Sequence, residues 1–434
     1  MKVNIGLYFI VLVSLMCTAC TKVKADHKEI KVWTITQEGM VDFIDGAAES
    51  FEALYPDVKI VHESFPNESY KTQIQVALTG STPPDVFFSW AGEDASRLIL
   101  DGLVLDITTY GTAEGGFAQS VKENWLSPYV YEGRNYGVPS DAVSKYFYYD
   151  PKFFTDHKLS IPKTFDDLIG FCKVVRDIDP SIVPWPLGNS ERWKMAHVMT
   201  MLNQRVLGLD ALAPDYNLSA SDQELFTHIG YIEAWSKVLE LKAAGCFQEA
   251  PNVTSPDASR AMFSAQLSPM IYCGTWCAII FAAEGYEDFA MFRFPSLDNG
   301  AGDPNAQFMV LNGYMVSSKS KHPELAAAFL SHMVSDEQAR SFAENIGGAV
   351  SNPKGSESVD VERWNKFFTN DLETVTRPVN VIDVVLEASV ANAYMDAGVE
   401  ILNGTLSPQE AMVKIREAAL AAKAKKSRAV QNGL

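Results

Sequence analysis

The 434-residue chain lacks the motifs by which several large enzyme classes are recognised. It contains no Gly-x-Gly-x-x-Gly dinucleotide fingerprint, no Gly-Lys-Ser/Thr phosphate loop and no Gly-x-Ser-x-Gly turn for a nucleophilic serine. The seven histidines are scattered, without His-Glu-x-x-His or another spacing of metal ligands. We therefore assign no catalytic residue, no metal and no cofactor.

Basic residues and cysteines are also scarce. Lysine and arginine number 36 against 54 acidic residues, and the resulting net charge of −18 argues against a nucleic-acid partner. Beyond residue 20 the only cysteines are Cys172, Cys246, Cys273 and Cys277, too few for a disulfide framework. Cys273 and Cys277 could pair, but a separation of four residues across a turn is awkward geometry. We therefore predict free thiols.

A signal-like apolar run occurs at the N-terminus. The stretch from Ile5 to Met16 has the length of a signal-peptide core and is short for a membrane span. Two small residues then precede Cys20, as in the bacterial lipobox whose cysteine is lipidated. Cys17 stands where a lipobox usually has leucine, so cleavage near Ala25 without lipidation is the alternative. Both alternatives predict export, with residues 1–20 as signal peptide and lipobox.

The mature chain is long enough for two or three domains. From Ile30 to Asp106, strand-like and helical segments alternate as β-α-β-α-β, which predicts a mainly parallel sheet with right-handed crossovers. Further strands are predicted at Phe289 to Phe294 and at Phe308 to Ser317. Thr164 with Asp167 predicts a capped helix start.

A first candidate site lies at the end of the strand Val86-Phe87-Phe88. The strand is followed by Trp90, Glu93 and Asp94, and ligands of open α/β sheets bind at the carboxyl ends of strands. A tryptophan beside carboxylates suits a ligand with an apolar face and hydroxyl groups at its edge, such as a pyranose ring. The alternative is that Trp90 packs in the core.

Gln37 and Glu38 are expected at the same edge of the sheet, because they follow the first strand. They would contact the same ligand as Trp90. The alternative is that they cap the following helix.

A second candidate site begins the helix predicted from about Glu191 to Leu207. Trp193 lies two residues before the apolar stripe that starts at Met195, about 200° around the helix, and so is expected off the core face, close to Asn189. Trp276, after a glycine turn, would supply another stacking surface. The alternatives are that Trp193 contacts a neighbouring segment and that Trp276 packs within its helix.

Several short motifs occur in an order and spacing typical of one family. The chain resembles the family 1 extracellular solute-binding proteins of bacterial ABC importers, which include the maltose-binding protein, over nearly its whole mature length. The motifs are Val32-Trp33, Phe51 to Ile60, Pro84-Asp85-Val86 with Trp90, Asp101 to Asp106, Tyr136-Gly137-Val138-Pro139 with Tyr148-Tyr149-Asp150, Pro162 to Leu168, Gly274-Thr275-Trp276, Asn312-Gly313-Tyr314 and Lys321 to Ala326.

The resemblance implies an α/β fold of two lobes, each a mainly parallel sheet flanked by helices, with three interlobe crossings. Lobe 1 would comprise residues 27–138 and 291–316, and lobe 2 residues 139–290 and 317–420, followed by a frayed tail, 421–434. The crossings are expected near 138–141, 289–294 and 314–319.

The resemblance also implies a sugar or short oligosaccharide ligand held between the lobes and delivered to ABC permease subunits by a monomeric, membrane-anchored lipoprotein. Where maltose binders have a paired aromatic platform, this chain has Ala391-Asn392, which argues against maltodextrin specificity. The expected ligand contacts are Gln37, Glu38, Trp90, Glu93, Asp94, Asp141, Asn189, Glu191, Trp193, Trp276 and Asn312.

Two other functions stay open. Aromatic rings with acids also hold ammonium groups, so a polyamine or cation binder of the same fold is the first alternative. A secreted carbohydrate-active enzyme is the second, because a pair of catalytic carboxylates leaves no sequence motif.

Overall fold

The computed structural model describes residues 27–357 and 363–431, so the predicted signal peptide and Cys20 lie outside the described residues. The strands are β1 Lys28–Ile35, β2 Val58–Phe65, β3 Val86–Trp90, β4 Val130–Tyr131, β5 Arg134–Asn135, β6 Gly137–Tyr149, β7 Met270–Gly274, β8 Ala290–Phe292, β9 Gln307–Val316, β10 Ala349–Val350 and β11 Pro378–Val379.

The helices of the N-terminal half are α1 Met40–Leu54, α2 Asn67–Thr79, α3 Glu93–Leu100, α4 Thr108–Thr112, α5 Glu123–Leu126, α6 Pro151–Asp156, α7 Phe165–Ile178, α8 Trp193–Leu207 and α9 Leu209–Tyr216. Those that follow are α10 Gly230–Ala243, α11 Pro256–Ser264, α12 Cys277–Ala283, α13 Pro323–Met333, α14 Asp336–Asn345, α15 Pro353–Glu357, α16 Arg363–Glu373, α17 Ile382–Val385, α18 Ala388–Asn403 and α19 Pro408–Gln431. Short 3₁₀ helices occupy Phe117–Gln119, Ser127–Tyr129 and Pro251–Val253.

The first lobe is built on the predicted β-α-β-α-β unit. Strand β1 lies between β2 and β3 and is parallel to both, while β9 joins the far side of β3 in the antiparallel direction. Helix α1 buries one apolar face, including Phe43, Ile44 and Phe51, against this sheet. The carboxyl ends of β1 and β3 therefore meet at one edge of the sheet, as predicted.

The second lobe has a separate core. Its strands β7 and β8 pair antiparallel with β6, and β11 is parallel to β9, so the mainly parallel arrangement expected for both lobes is found in the first lobe only. Helix α7 begins with the predicted capping box, in which Thr164 and Asp167 bind each other's backbone amides. Helix α8 runs through this core, and every one of its residues is buried.

Two long neighbouring strands carry the chain between the lobes. The core of the second lobe contains Phe147 of β6 and Phe308 of β9, whereas that of the first contains Val138 and Tyr314 of the same strands. The chain therefore first passes from one core to the other along β6, between Val138 and Phe147. The second crossing lies within β9 and not at residues 289–294, because β8 pairs with the part of β6 that belongs to the second lobe.

The third crossing differs from expectation too. Phe329 of α13 and Phe342 of α14 pack in the first core, and α16 contributes Phe368 to a cluster of the second lobe. The chain thus returns to the second lobe between 350 and 368. Residues 291–310 belong with the second lobe, and most of the segment 317–350 with the first, which corrects the predicted boundaries.

Two further predictions are wrong. Helix α19 continues to Gln431 instead of fraying from residue 421, and Ala422 is buried in the second core. The cysteines are not free thiols, because Cys172 is bonded to Cys246 and Cys273 to Cys277. The fold brings Cys172 of α7 beside Cys246, 74 residues later, a proximity that cysteine spacing alone does not reveal. In the described ranges no helix has the length and apolar character needed to cross a bilayer.

Candidate ligand-binding cleft

Three predicted site residues lie in one row across the sheet. Trp90 of β3 is opposite Asn312 of β9, and Asn312 is opposite Asp141 of β6. Asn312 Nδ2 donates a 3.0 Å hydrogen bond to Asp141 Oδ2, and the Ser140 hydroxyl donates a second bond to the same carboxylate. Burial raises the pKa of Asp141 to about 6, although both hydrogen bonds lower it. Asp141 and Asn312 are almost fully buried and bind each other, while Trp90 is half-buried beside them.

A cavity of about 290 Å³ opens beside Trp90, between the two lobes. Its first-lobe wall includes Lys71 of α2, Trp90 of β3 and Asp94 of α3. Its second-lobe wall includes Asp383 of α17 and Asn392 of α18. The remaining lining residues are Glu68, Tyr70, Thr72, Ile74, Gln75, Phe88, Ser89, Arg97, Leu98, Arg192, Leu386, Ala388, Ala391 and Met395.

An ion pair joins the two walls. Lys71 Nζ donates to Asp383 Oδ2 at 2.9 Å and lies 5.3 Å from the ring centroid of Trp90. On its other side, Asp383 lies 3.2 Å from His197 Nε2. Lys71 and His197 together hold the pKa of Asp383 below its ordinary value, although burial opposes them. Burial is also the main reason why the pKa of His197 falls to about 3, so this imidazole is neutral at physiological pH.

Three of the other charged groups of the cavity, Asp94, Arg97 and Arg192, are also paired. Asp94 Oδ1 accepts from Arg97 Nη2 at 3.3 Å. Burial raises the pKa of Asp94 to about 6, while Arg97 and Lys71 lower it. Arg192 forms an ion pair with Asp396 and donates to Asn392 Oδ1 at 3.2 Å. The cavity therefore presents an aromatic ring and pairs of opposite charge, rather than a surface of one sign.

Trp193 is not exposed, which contradicts the prediction from the apolar stripe of its helix. Only 9% of the residue is accessible, because α8 is buried on all sides and Trp193 packs on Ala196 and Met395. Its indole Nε1 donates to Glu191 Oε2 at 2.6 Å. A helix that is enclosed all round has no solvent face, so angular position alone could not locate Trp193.

Trp276 is partly accessible, whereas Asn189 is buried and has a structural role. Trp276 is half-buried, with its ring centroid 6.4 Å from that of Trp193, so the two indoles form one aromatic wall in the second lobe. Asn189 is buried, donates to Asn252 Oδ1 and accepts from the backbone amide of Met195. Its bonds therefore hold the start of α8 in place.

Of the eleven predicted ligand contacts, only Trp90 and Asp94 line the cavity. The nine that do not are Gln37, Glu38, Glu93, Asp141, Asn189, Glu191, Trp193, Trp276 and Asn312. Gln37 and Glu38 lie at the expected edge of the sheet, but Glu38 is exposed. The side chains that were missed are Lys71, Arg97, Arg192 and Asp383. Asp383 has a sequence signal, since it is a single acid within the apolar run from Val381 to Leu386.

Metal ligands do not cluster in the residues that the structure describes: no group of three or more histidine, cysteine or acidic side chains could hold an ion there. The cavity offers the indole of Trp90 for stacking and the polar side chains around it for hydrogen bonding. Both are suited to holding a polar ligand with an apolar face.

The fold and the cleft define a two-lobed solute-binding protein. The chain belongs to the bacterial extracellular solute-binding protein family, whose family model matches residues 35–340. The members of this family are binding proteins that work with ABC transporters, as the resemblance of the motifs indicated.

Individual relatives match over different lengths. The multiple sugar-binding protein of Streptococcus mutans is 24% identical over 364 residues, which cover 80% of this chain and 82% of that protein. An uncharacterized ABC transporter extracellular-binding protein of Pyrococcus horikoshii is 26% identical over 152 residues, or 35% of each chain. The match thus spans about a third of that archaeal relative.

Among solved structures, a chitin oligosaccharide binding protein superposes with a TM-score of 0.84 at 19% identity, covering 92% of this chain and 100% of that one. This similarity supports the two-lobed fold and agrees with the packing of the two cores described above.

Proposed function

We propose that the protein captures a sugar or short oligosaccharide in the cleft between its lobes and delivers it to the transmembrane subunits of an ABC importer. The observation that carries this proposal is the cavity itself, in which the half-buried Trp90 faces hydrogen-bonding groups from the other lobe. An indole face stacks on the apolar face of a pyranose, and the paired carboxylates and amides around it can exchange hydrogen bonds with hydroxyl groups. The family and the S. mutans relative support the same class of ligand.

The pairing of charges favours a sugar over a polyamine. Asp94 is paired with Arg97, Asp383 with Lys71 and Asp396 with Arg192. Lys71 also occupies the neighbourhood of the Trp90 ring, where an ammonium ligand would have to bind. A polycation would need to displace these internal cations, whereas a neutral hydroxyl group can join the existing hydrogen-bond pattern.

The same proposal includes where the protein is located and how it is anchored. An exported monomer, held to the extracytoplasmic side of the membrane by a lipid on Cys20, would present the closed cleft to the permease. The lipobox-like residues before Cys20 and the extracellular family support this setting.

Native mass spectrometry of protein purified without a sugar wash tests the function. A co-purified species with the mass of a sugar supports the proposal, and a species with the mass of an amine contradicts it. Incubation with oligosaccharides provides the second arm, because release of shortened products would indicate an enzyme instead.

A further inference from the structure

Lys145 of β6 is enclosed in the second lobe with an unsatisfied ammonium group. The residue is fully buried, and no atom of the described chain accepts a hydrogen bond from its Nζ. Four rings surround Nζ, with their centroids at 5.1 Å for Trp193, 5.3 Å for Tyr272, 5.8 Å for Trp276 and 6.0 Å for Phe308. Aromatic faces attract a cation, but they do not replace the oxygen acceptors that its three N–H donors had in water.

A second buried cation approaches the same indole. Lys194 Nζ lies 4.6 Å from the ring centroid of Trp193, and Lys194 is 4% exposed. Burial, and then the charge of Lys194, hold the pKa of Lys145 well below its usual value. Burial likewise lowers the pKa of Lys194 to about 7. Both shifts have the sign expected where positive charge is not compensated.

The carboxylates that act on these two lysines already have other partners. Asp383 binds Lys71, Glu191 accepts from the Trp193 indole, and Asp257 is paired with Arg260. Among the described residues, this corner of the second lobe therefore has no carboxylate left to pair with Lys145, although the whole protein carries a net charge of −18.

The corner adjoins the cleft. Trp193 packs on Met395, which lines the cavity, and Asp383 lies both on the cavity wall and within the electrostatic reach of Lys145. Trp276, whose ring centroid is 5.8 Å from Lys145 Nζ, is half-buried and does not line the cavity, so this part of the aromatic wall is not fully sealed from solvent. A ligand that stacks on this wall would place its substituents near the ammonium group.

We propose that this corner is the subsite for a carboxylate substituent of the ligand, so that the sugar is a uronic acid or an oligosaccharide containing one. The inference rests on the proposed function and names its substrate class. A neutral hydroxyl group can only accept a hydrogen bond from Lys145. A carboxylate accepts one and also stabilises the protonated, charged form of Lys145, which burial disfavours. A carboxylate also carries a single charge, which matches one unpaired ammonium group.

Calorimetric titration with matched disaccharides tests the inference, with digalacturonate against galactobiose and cellobiouronate against cellobiose. We expect at least one uronate to bind about tenfold more tightly than its neutral counterpart, as a charge-assisted bond replaces a neutral one. If the neutral sugars bind equally well or better, the inference is wrong and the proposed function stands. If none of the four binds, the inference is wrong and the proposed function loses support as well.

Lys145→Met separates a ligand contact from a structural role. The variant keeps an unbranched stem, so it should retain the wild-type melting temperature or exceed it, because it removes a buried amino group that has no hydrogen-bond acceptor. It should lose the preference for the uronate and bind the neutral sugar as before. A lower melting temperature with an unchanged preference would mean that Lys145 only fills the aromatic cage.

Two further variants complete the test. Lys237→Met is the matched control, since Lys237 Nζ also lies over a ring, 5.2 Å from the centroid of Phe165, but is paired with Glu240 and does not line the cavity. This control variant should change neither the affinity for the uronate nor the affinity for the neutral sugar. If Lys145→Met does not fold, Lys194→Met takes its place in the titration and should reduce the preference for the uronate. An unchanged preference in that variant would count against the subsite.

Discussion

Lys71 of the first lobe and Asp383 of the second form an ion pair across the cleft, with 2.9 Å between Nζ and Oδ2. The Asp383 side chain is 4% exposed and that of Lys71 24%. Solvent screens such a pair less than the exposed ion pairs of the surface. Since both residues line the cavity, this contact between the lobes is also part of the candidate binding site.

Replacing Lys71 with methionine should open the protein. The change leaves Asp383 without its cation and removes a direct attraction between the lobes, so the open state gains population. Small-angle scattering without ligand should give a larger radius of gyration than for the wild type, while saturating sugar should still compact both proteins. The control is Lys59→Met, because Lys59 pairs with Glu52 on the surface of the first lobe alone. Equal radii for wild type and Lys71→Met would show that the pair does not govern closure.

Replacing Trp193 with alanine should mainly reduce stability, whereas replacing Trp90 should mainly weaken sugar binding. Trp193→Ala removes a buried ring and should lower the free energy of unfolding by about 3–5 kcal/mol, the usual range for large core aromatics. Trp90→Ala should lower stability less, because Trp90 is half-buried, and should weaken sugar binding about tenfold or more, as for an interface anchor. Urea unfolding and calorimetric titration of both variants check this. Normal sugar binding by Trp90→Ala would place the ligand elsewhere.

Stability should depend on His197 between neutral and mildly acidic pH. Its pKa is about 3 in the folded protein, because of burial, and about 6.5 in an unfolded chain. Below pH 6.5 the unfolded state therefore binds a proton that the folded state does not, so stability falls as pH falls. The loss from this residue amounts to about 2 kcal/mol at pH 5.

His197→Gln should remove that dependence, and the difference between the two proteins in urea unfolding at pH 7.5 and pH 5 measures it. Asp94 and Asp141 act in the opposite direction, since their pKa values of about 6 lie above that of an unfolded aspartate. They are common to both proteins and cancel in the difference. Parallel pH profiles would show that His197 can bind a proton in the folded state.

The two disulfides should contribute unequally to stability. Cys172–Cys246 spans 74 residues and Cys273–Cys277 only four, and the entropy that a cross-link removes from the unfolded chain grows with the length of the closed loop. Replacing the first pair by alanine should lower the free energy of unfolding by roughly 2–5 kcal/mol, and the second pair by less. Thermal unfolding of both double variants, with and without reductant, tests the order. A larger loss from the second pair would contradict it.

The proposed lipid anchor on Cys20 can be tested directly. If it is lipidated, Cys20→Ala should move the protein from the membrane fraction to the soluble extracytoplasmic fraction. Intact-mass analysis of the wild type should then show a diacyl- or triacyl-modified chain beginning at residue 20. An unmodified chain beginning after Ala25 would favour simple secretion.

Periodic patterns predicted the architecture well. The alternation of strands and helices from Ile30 onward, the capping box at Thr164 and the two later strands all reflect local rules, which the structure follows. The exchange of segments between the lobes was not predictable in detail. Whether α13 packs on one core or the other depends on contacts distant in sequence, and its apolar face suits either core.

Part of the candidate site could be predicted from the sequence, because it depends on local patterns, and part could not, because it depends on contacts distant in sequence. Trp90 and Asp94 follow from the rule that ligands bind at the ends of strands. Asp141 and Asn312 were implied by the resemblance to the family, and the structure brings both into one row with Trp90. Lys71 and Asp383 meet only after the lobes assemble, 312 residues apart in sequence. The predicted exposure of Trp193 is wrong, because an apolar stripe marks a solvent-facing side only on a helix that has one, and α8 is buried on all sides. The ligand-binding role of these residues stays a prediction.

The pairing of β6 with β9 restricts how the two lobes can move. Both strands pass from one lobe to the other as hydrogen-bonded neighbours, and their regular register is interrupted between Pro139 and Asp141. Paired strands resist sliding along their length, because sliding would break successive hydrogen bonds, but they bend where the pairing is irregular. Opening and closing should therefore follow essentially a single rotational coordinate with its axis close to this bulge. A substitution there would change the angle through which the lobes turn without altering any residue of the cavity wall.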